Sequence, residues 1–91
     1  MEAVAAQLIE KERIRDFKVV NSPENHANEL RYKLQSAVRL GNEFKSKSVI
    51  VFMTTDGPKR VETTVWSLTE DYIQLKNGIM IPLKSLLDID Y

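Results

Sequence analysis

The sequence contains no cysteine, and this absence excludes a disulfide framework, a thiolate nucleophile and a zinc–thiolate centre. A single histidine also excludes a metal site built from several histidines of one chain. Three widely separated glycines leave no glycine-rich loop of the kind that cradles phosphate groups. We therefore expect no enzymatic activity, no cofactor and no bound metal.

An excess of charge of one sign and long hydrophobic runs are missing as well. The 91 residues carry 13 basic and 13 acidic side chains, for a formal net charge of zero, which argues against a protein built mainly to hold polyanions. The longest apolar run, Val49 to Met53, has five residues, whereas a membrane helix needs about 20. The N-terminal residues lack the pattern of a signal or transit peptide, so we expect a cytoplasmic protein without membrane association.

The length and the hydrophobic pattern predict one domain with two parts. A chain of 91 residues suits a single domain over 1–91. Before residue 46 the apolar residues recur at helical spacing, and after it they alternate or cluster in short runs. We therefore expect a helical part at 1–46 and a strand part at 47–91.

The first predicted helix runs from Glu2 to about Arg15. This segment is rich in residues that favour helices, and its apolar stripe is formed by Val4 and Leu8. Because the stripe is short, the helix would be marginal on its own. We expect it to lie on the rest of the domain or on another chain.

The second predicted helix has a clear start. Ser22 is a suitable N-cap, and Pro23 follows at the first helical position, where its missing N–H costs nothing. The apolar stripe of this helix consists of Ala27, Leu30, Leu34 and Ala37. Gly41 either caps the helix or lies within a helix that continues to Phe44, and we expect the helix to end near Gly41.

The remaining residues predict five short strands separated by turns. The strands cover Val49 to Thr54, Arg60 to Leu68, Tyr72 to Leu75, Ile79 to Leu83 and Leu87 to Tyr91. Closure of such a meander into a small barrel would remove the exposed edges of its aliphatic strands. We therefore predict an α+β fold in which two N-terminal helices precede a five-stranded antiparallel barrel.

The hairpin between the third and fourth predicted strands has two alternative registers. A two-residue loop would place apolar side chains opposite polar ones on both faces. A three-residue loop instead puts four aliphatic side chains on one face, with the pairs Leu75–Ile79 and Ile73–Ile81. We predict the three-residue loop, with Gly78 in the left-handed conformation.

The strand region resembles the late strands of SH3-like and Sm-like small barrels. The residues that carry this resemblance are Ser67 to Leu75, Gly78 to Leu83 and Leu86 to Asp90. Sm proteins also begin with a helix, but this chain lacks the loop signatures of arginine, asparagine and glycine with which they hold RNA. The strand from Val61 to Trp66 is similar to one in short bacterial proteins of unassigned function. The resemblance implies a small-barrel fold and no particular activity.

Two groups of ionisable residues are expected to be solvated rather than functional. His26 lies near the start of the second predicted helix, with no Ser, Thr or Asp nearby in sequence that would form a triad with it. Asp88 and Asp90 flank Ile89, which is typical of an edge strand with one wet face. We expect neither group to bind metal or to catalyse a reaction.

Four cations flank the first predicted hairpin, namely Lys45, Lys47, Lys59 and Arg60. Two precede its first strand and two open its second strand. Because these positions lie at opposite ends of the hairpin, the four charges need not converge.

Trp66 is the sole tryptophan and is expected in the core or at an interface. Strand alternation places it on one face with Thr64 and Leu68. Since Trp66 and Leu68 make this the heavier face, we expect it to cover the core. A base-stacking role would require an exposed ring beside basic groups, and its nearest cations in sequence are Lys59 and Arg60.

The leading hypothesis is a non-enzymatic small-barrel interaction module that self-associates or binds a protein partner. It rests on the surplus apolar surface that a marginal helix and aliphatic strands leave on a thin core. The expected interaction surface consists of Val4, Leu8, Lys59, Arg60 and Trp66. The alternative is an RNA- or DNA-binding barrel, which requires a basic or aromatic exposed patch. No small-molecule substrate is evident in the sequence.

Overall fold

The computed structural model describes residues 6–22, 27–76 and 78–91, and this part of the chain forms one α-helix, seven strands and two short 3-10 helices. The regular elements are β1 (Gln7–Ile9), α1 (Ala27–Phe44), β2 (Ser48–Thr54), β3 (Gly57–Thr63), β4 (Val65–Leu68), β5 (Tyr72–Leu75), β6 (Met80–Pro82) and β7 (Leu86–Asp90). The 3-10 helices span Lys11–Asp16 and Leu83–Ser85. Sheet A has the strand order β1-β3-β2-β7, and sheet B has the order β4-β5-β6.

The predicted closed barrel is wrong for the described residues, because sheets A and B remain separate. The predicted strand from Arg60 to Leu68 divides at Thr64, where the chain leaves sheet A and enters sheet B. The helix α1 packs against β4 of sheet B and β7 of sheet A, and both are edge strands. A helix that covers an edge strand of each sheet protects those edges without barrel closure.

The first predicted helix is also wrong. In its place lie the strand β1 and the 3-10 helix, and β1 pairs in parallel with β3. Ile14 lies in the core, and Ile9 packs against the core while partly buried. Both residues therefore contact parts of the chain that are distant in sequence. Tertiary packing therefore overrides a weak local helical preference. Val4 lies outside the described residues.

The second predicted helix is present, and it continues through Gly41 to Phe44 instead of ending near Gly41. Leu30, Leu34 and Ala37 of the predicted stripe are buried. The helix ends where Lys45 takes a left-handed conformation with φ of 55°. The expected start of this helix at residues 23–26 falls outside the described residues.

The inner faces of the two sheets and α1 enclose one hydrophobic core. Sheet A contributes Ile50, Phe52, Val61, Leu86 and Ile89, and sheet B contributes Val65, Ile73, Leu75 and Ile81. The aliphatic clustering that predicted a buried strand from residue 49 onward therefore reflects a central strand, β2, which pairs with β3 and with β7. Among the described residues, no helix is both long and apolar enough to cross a membrane.

The predicted register of the β5–β6 hairpin is confirmed. Ile73 lies opposite Ile81, and the Leu75 N–H donates a hydrogen bond of 2.9 Å to the Ile79 carbonyl. Gly78 has a φ of 85°, as the three-residue loop requires. The hydrophobic face and the turn chemistry agree on this register, and this agreement explains why local sequence sufficed to predict it.

Candidate binding site around Trp66

Two of the predicted surface residues lie together on sheet A. Leu8 on β1 pairs in register with Arg60 on β3. Both side chains are exposed, and Leu8 retains 57% of its accessible surface. Trp66 lies on β4 in sheet B, so the structure does not place all of the predicted surface residues in one sheet.

Lys59 is buried, which corrects the expectation that it contributes to an exposed surface. Its exposed fraction is only 7%, because it lies on the inner face of β3 opposite Phe52. The Lys59 Nζ donates a hydrogen bond of 2.8 Å to Gln7 Oε1 and lies 4.9 Å from the centroid of the Phe17 ring. These contacts attach the N-terminal segment to sheet A, so this ammonium group has a structural role.

Trp66 is exposed to 47%, so of its two predicted positions, the core or an interface, the core is wrong. The pairing Val65–Leu75 is followed by the pairing Ser67–Gln74, so Trp66 is an extra residue on β4. Such a β-bulge interrupts the alternation of side chains and redirects them. The expectation that the face of Trp66 covers the core assumed a regular strand, and the bulge removes that assumption.

The exposed indole of Trp66 borders a surface concavity of about 330 Å³, which we call the indole concavity. Its lining residues come from the end of α1, the corner between β3 and β4, and the end of β5. They are Gly41, Asn42, Lys45, Thr64, Trp66 and Lys76. The lysines at 45 and 76 are both exposed, so cationic groups accompany the ring.

The close approach of α1 to the β3–β4 corner forms one wall of the concavity. A Cβ atom at Gly41 would lie 2.6 Å from the Val65 carbonyl oxygen and 2.9 Å from Thr64 Cγ2. Only glycine allows this separation, since any other residue would force the helix away from the strand. On the other wall, the Lys76 N–H donates a hydrogen bond of 3.0 Å to the Thr64 carbonyl.

Lys45 has an unusual backbone conformation for its residue type. It is the sole non-glycine residue with positive φ in the described part of the chain. Its N–H donates a hydrogen bond of 3.0 Å to the Gly41 carbonyl, which is the helix-ending geometry in which glycine or asparagine is usual. A residue with a Cβ atom costs about 1–2 kcal/mol in the left-handed conformation.

Two departures from regular structure meet at the indole concavity, beside the close approach of α1 to the β3–β4 corner at Gly41. They are the bulge at Trp66 and the left-handed lysine at 45. Local irregularity of this kind concentrates at functional sites, because a regular element would have been more stable there. This coincidence makes the indole concavity a candidate binding site.

The lining of the concavity combines cationic, polar and aromatic groups. The lining residues that the structure describes supply two ammonium groups, an amide, a hydroxyl and an aromatic face, and none of them is acidic. The negative end of the α1 dipole lies near Lys45 and is offset by that charge. Lys76 belongs to a strand end, so the helix dipole does not account for its position.

The other ionisable residues considered in the sequence do not contribute to the indole concavity. No group of three or more His, Cys, Asp or Glu side chains with the arrangement of a metal site occurs among residues 6–22, 27–76 and 78–91. Asp88 lies 3.5 Å from Lys33 Nζ and accepts a hydrogen bond from the Ile89 N–H. Its carboxylate therefore has partners within the protein. His26 lies outside the described residues.

Asn42 and Lys76 are site residues that the sequence analysis missed. The signal that would have found Lys76 is the pairing of β4 with β5, which places Thr64 opposite it.

The four cations near the first hairpin do not converge. Lys45 borders the indole concavity, whereas Arg60 lies beside Leu8 and Lys59 is buried.

Comparisons with known proteins add no relative from which a function would follow. No protein-family model matches the chain, and no curated protein or solved structure matches it. The resemblance to SH3-like and Sm-like barrels is therefore not confirmed. The described part of the chain forms a small, β-rich domain with two sheets and one α-helix.

Proposed function

We propose that this protein is a non-enzymatic interaction module that binds nucleic acid through the indole concavity. The observation that carries the proposal is a half-exposed Trp66 that shares a concavity with Lys45 and Lys76. Aromatic faces stack on bases with little dependence on sequence, and lysines neutralise the adjacent phosphates. The exposed ring beside basic groups is the condition that a base-stacking role requires.

The net charge of zero is compatible with this proposal. Local potential depends on how charges are distributed, and the lining residues of the concavity include two lysines and no carboxylate. Two cations nevertheless make few phosphate contacts. We therefore expect weak, sequence-tolerant binding, with a Kd on the order of 10⁻⁴ M at physiological salt.

The proposal can be tested with the protein's own fluorescence, because Trp66 is the sole tryptophan and reports directly from the site. Oligonucleotides should quench its emission at low salt. Release of counterions from two phosphate contacts predicts a slope of about −1.4 for log K against log salt on a single strand.

A matched pair of variants separates the site from general charge effects. Lys45→Gln combined with Lys76→Gln should bring the salt slope close to zero. Lys47→Gln removes one exposed lysine that is not a lining residue, and it should leave the slope unchanged. An absence of quenching by RNA and DNA oligonucleotides at low salt would overturn the proposal.

Self-association is a second candidate function, favoured by the exposure of Leu8 on β1. This strand forms one edge of sheet A, and exposed edges with apolar side chains promote pairing with another chain. A net charge of zero also minimises repulsion between copies. Light scattering should show a mass that rises with concentration and returns to the monomer value in Leu8→Lys. A constant monomer mass at high concentration would exclude this second function.

A further inference from the structure

We infer that the indole concavity takes one unpaired base of a single strand, and that Lys45 is kept in its left-handed conformation because its charge contacts the phosphate backbone of that strand. This inference rests on the proposed function and makes it more specific. It identifies the form of nucleic acid and assigns a role to each of the two lysines.

The stacking role of the ring favours an unpaired base. Trp66 is exposed to 47% and borders a concavity between a helix end and a strand end. The faces of bases within a duplex are already stacked, so stacking on the indole requires a base that has left the duplex or never joined one.

The single aromatic side chain of the concavity indicates that one base stacks there. Its volume of about 330 Å³ is at the lower end of the range of about 300–1,000 Å³ that ligand pockets span, and it accommodates a base. Trp66 is the sole aromatic residue among its lining residues, so the concavity offers one ring on which a base can stack. Neighbouring nucleotides of the strand would then meet the rim of the concavity.

The two lysines of the concavity equal in number the phosphates that flank one stacked base. Lys45 comes from the end of α1 and Lys76 from the end of β5, so the two cations approach the site from separate elements. A base within a strand has a phosphate on each side. If each phosphate contacts one lysine, both ammonium groups have a partner. A free base has no phosphate and would contact neither ammonium group in this way.

The conformation of Lys45 is the second, independent observation. Glycine is the usual residue at this position of a helix end, and lysine is strained there. The helix dipole alone does not explain the lysine, because Lys47 lies two residues further on and carries the same charge without a left-handed backbone. A charge that must face the concavity explains why the strained residue is retained.

The first experiment compares forms of nucleic acid by the quenching of Trp66 emission. The probes are a ten-nucleotide single strand as DNA and as RNA, the same DNA annealed to its complement, a mononucleotide and a poly-glutamate peptide. We expect the single strands to bind at least tenfold more tightly than the duplex and the mononucleotide. The peptide should leave the emission unchanged.

The outcomes separate this inference from the proposed function. Equal affinity for single strand and duplex would overturn the inference while nucleic-acid binding stood. Equal affinity for the mononucleotide and the oligonucleotide would also overturn it, because the backbone contacts would then be absent. Quenching by the peptide as strong as by the oligonucleotides would assign the site to an acidic protein and would overturn both.

The second experiment tests the role of Lys45 with the variant Lys45→Gly. Release of the left-handed strain should raise Tm by about 4–8 °C, while loss of one phosphate contact should make the salt slope less negative by about 0.7. Lys76→Gln should change the slope equally and leave Tm unchanged. A Lys45→Gly protein that is more stable and binds as tightly as the wild type would show that Lys45 is only a helix cap.

A variant of the ring completes the test. Trp66→Phe keeps an aromatic face and Trp66→Leu removes it, and the half-exposed position should allow both proteins to fold. Because neither variant retains the fluorescent reporter, binding is followed by the anisotropy of a labelled single strand. We expect a loss of about tenfold or more for leucine and a smaller loss for phenylalanine. Equal affinity of the two variants would exclude stacking.

Discussion

In the described part of the chain, the pair of Lys59 with Phe17 and the pair of Lys45 with Trp66 each bring a lysine together with an aromatic ring, and their surroundings differ. Lys59 lies over Phe17, is buried and donates its hydrogen bond to Gln7. Lys45 shares the indole concavity with Trp66, and both side chains are exposed. The Lys59 ammonium group interacts with other groups of the protein, whereas the Lys45 and Trp66 side chains are accessible to a ligand.

The comparison teaches that residue type alone does not mark a binding surface. Lys59 and Trp66 both belonged to the surface expected from the sequence, but burial removes Lys59 from it. The difference lies in the backbone. Lys59 occupies a regular strand whose alternation points it inward, and Trp66 occupies a bulge that redirects it. Four variants test this contrast, in order of decreasing effect on stability.

The largest effect is expected for Gly41→Ala, which disturbs the wall of the exposed pair. The added Cβ atom would meet the Val65 carbonyl oxygen at 2.6 Å, so α1 must move away from β4. We expect a loss of about 2 kcal/mol in the free energy of unfolding, since overpacking outweighs the better helix propensity of alanine. Urea denaturation measures this loss, and Gln35→Ala on the exposed face of α1 is the control. A more stable Gly41→Ala protein would contradict the close approach.

An intermediate effect is expected for Lys59→Met, which breaks the buried pair. Methionine keeps most of the apolar stem but removes the hydrogen bond to Gln7 Oε1 and the charge over Phe17. The expected loss is about 1 kcal/mol, because the lower desolvation penalty partly offsets the lost contacts. Oligonucleotide binding should not change. Weaker binding by this folded variant would mean that Lys59 is not purely structural.

The smallest effect is expected for Lys76→Gln and Lys47→Gln. Both lysines are exposed, and surface substitutions usually change stability by less than about 0.5 kcal/mol. The two variants should therefore have the same Tm and differ only in the salt dependence of binding. A clear loss of stability in Lys76→Gln would indicate that this lysine supports the fold and would weaken its assignment to the site.

The sequence predicted those parts of the fold that depend on neighbouring residues. The stripe of Leu30, Leu34 and Ala37, the hairpin register and the turn at Gly78 follow from local periodicity and turn chemistry. The N-terminal helix was predicted wrongly, because burial of Ile9 and Ile14 against the distant core stabilises this segment more than helix formation would. Barrel closure was also wrong, since a pattern of strands does not reveal that a helix covers two sheet edges.

The candidate site was predicted only in part, for a similar reason. Trp66 was singled out as an interaction residue, but its exposure depends on a bulge that alternation cannot reveal. Lys76 enters the site through the pairing of β4 with β5. The proximity of Lys45 depends on how closely α1 approaches that pair, and Gly41 sets this distance. Each step requires contacts between distant residues.

The parallel pairing of β1 with β3 has a consequence for the order of events during synthesis. Gln7 and Lys59, which meet across this pair, are separated by 52 positions along the chain. At a translation rate of about 5–20 residues per second, β1 waits about 3–10 s for its partner strand to be made. During that interval Leu8 and Ile9 have no sheet to join. Although β1 is the first described strand to leave the ribosome, it can pair only after the β2–β3 hairpin has been synthesised.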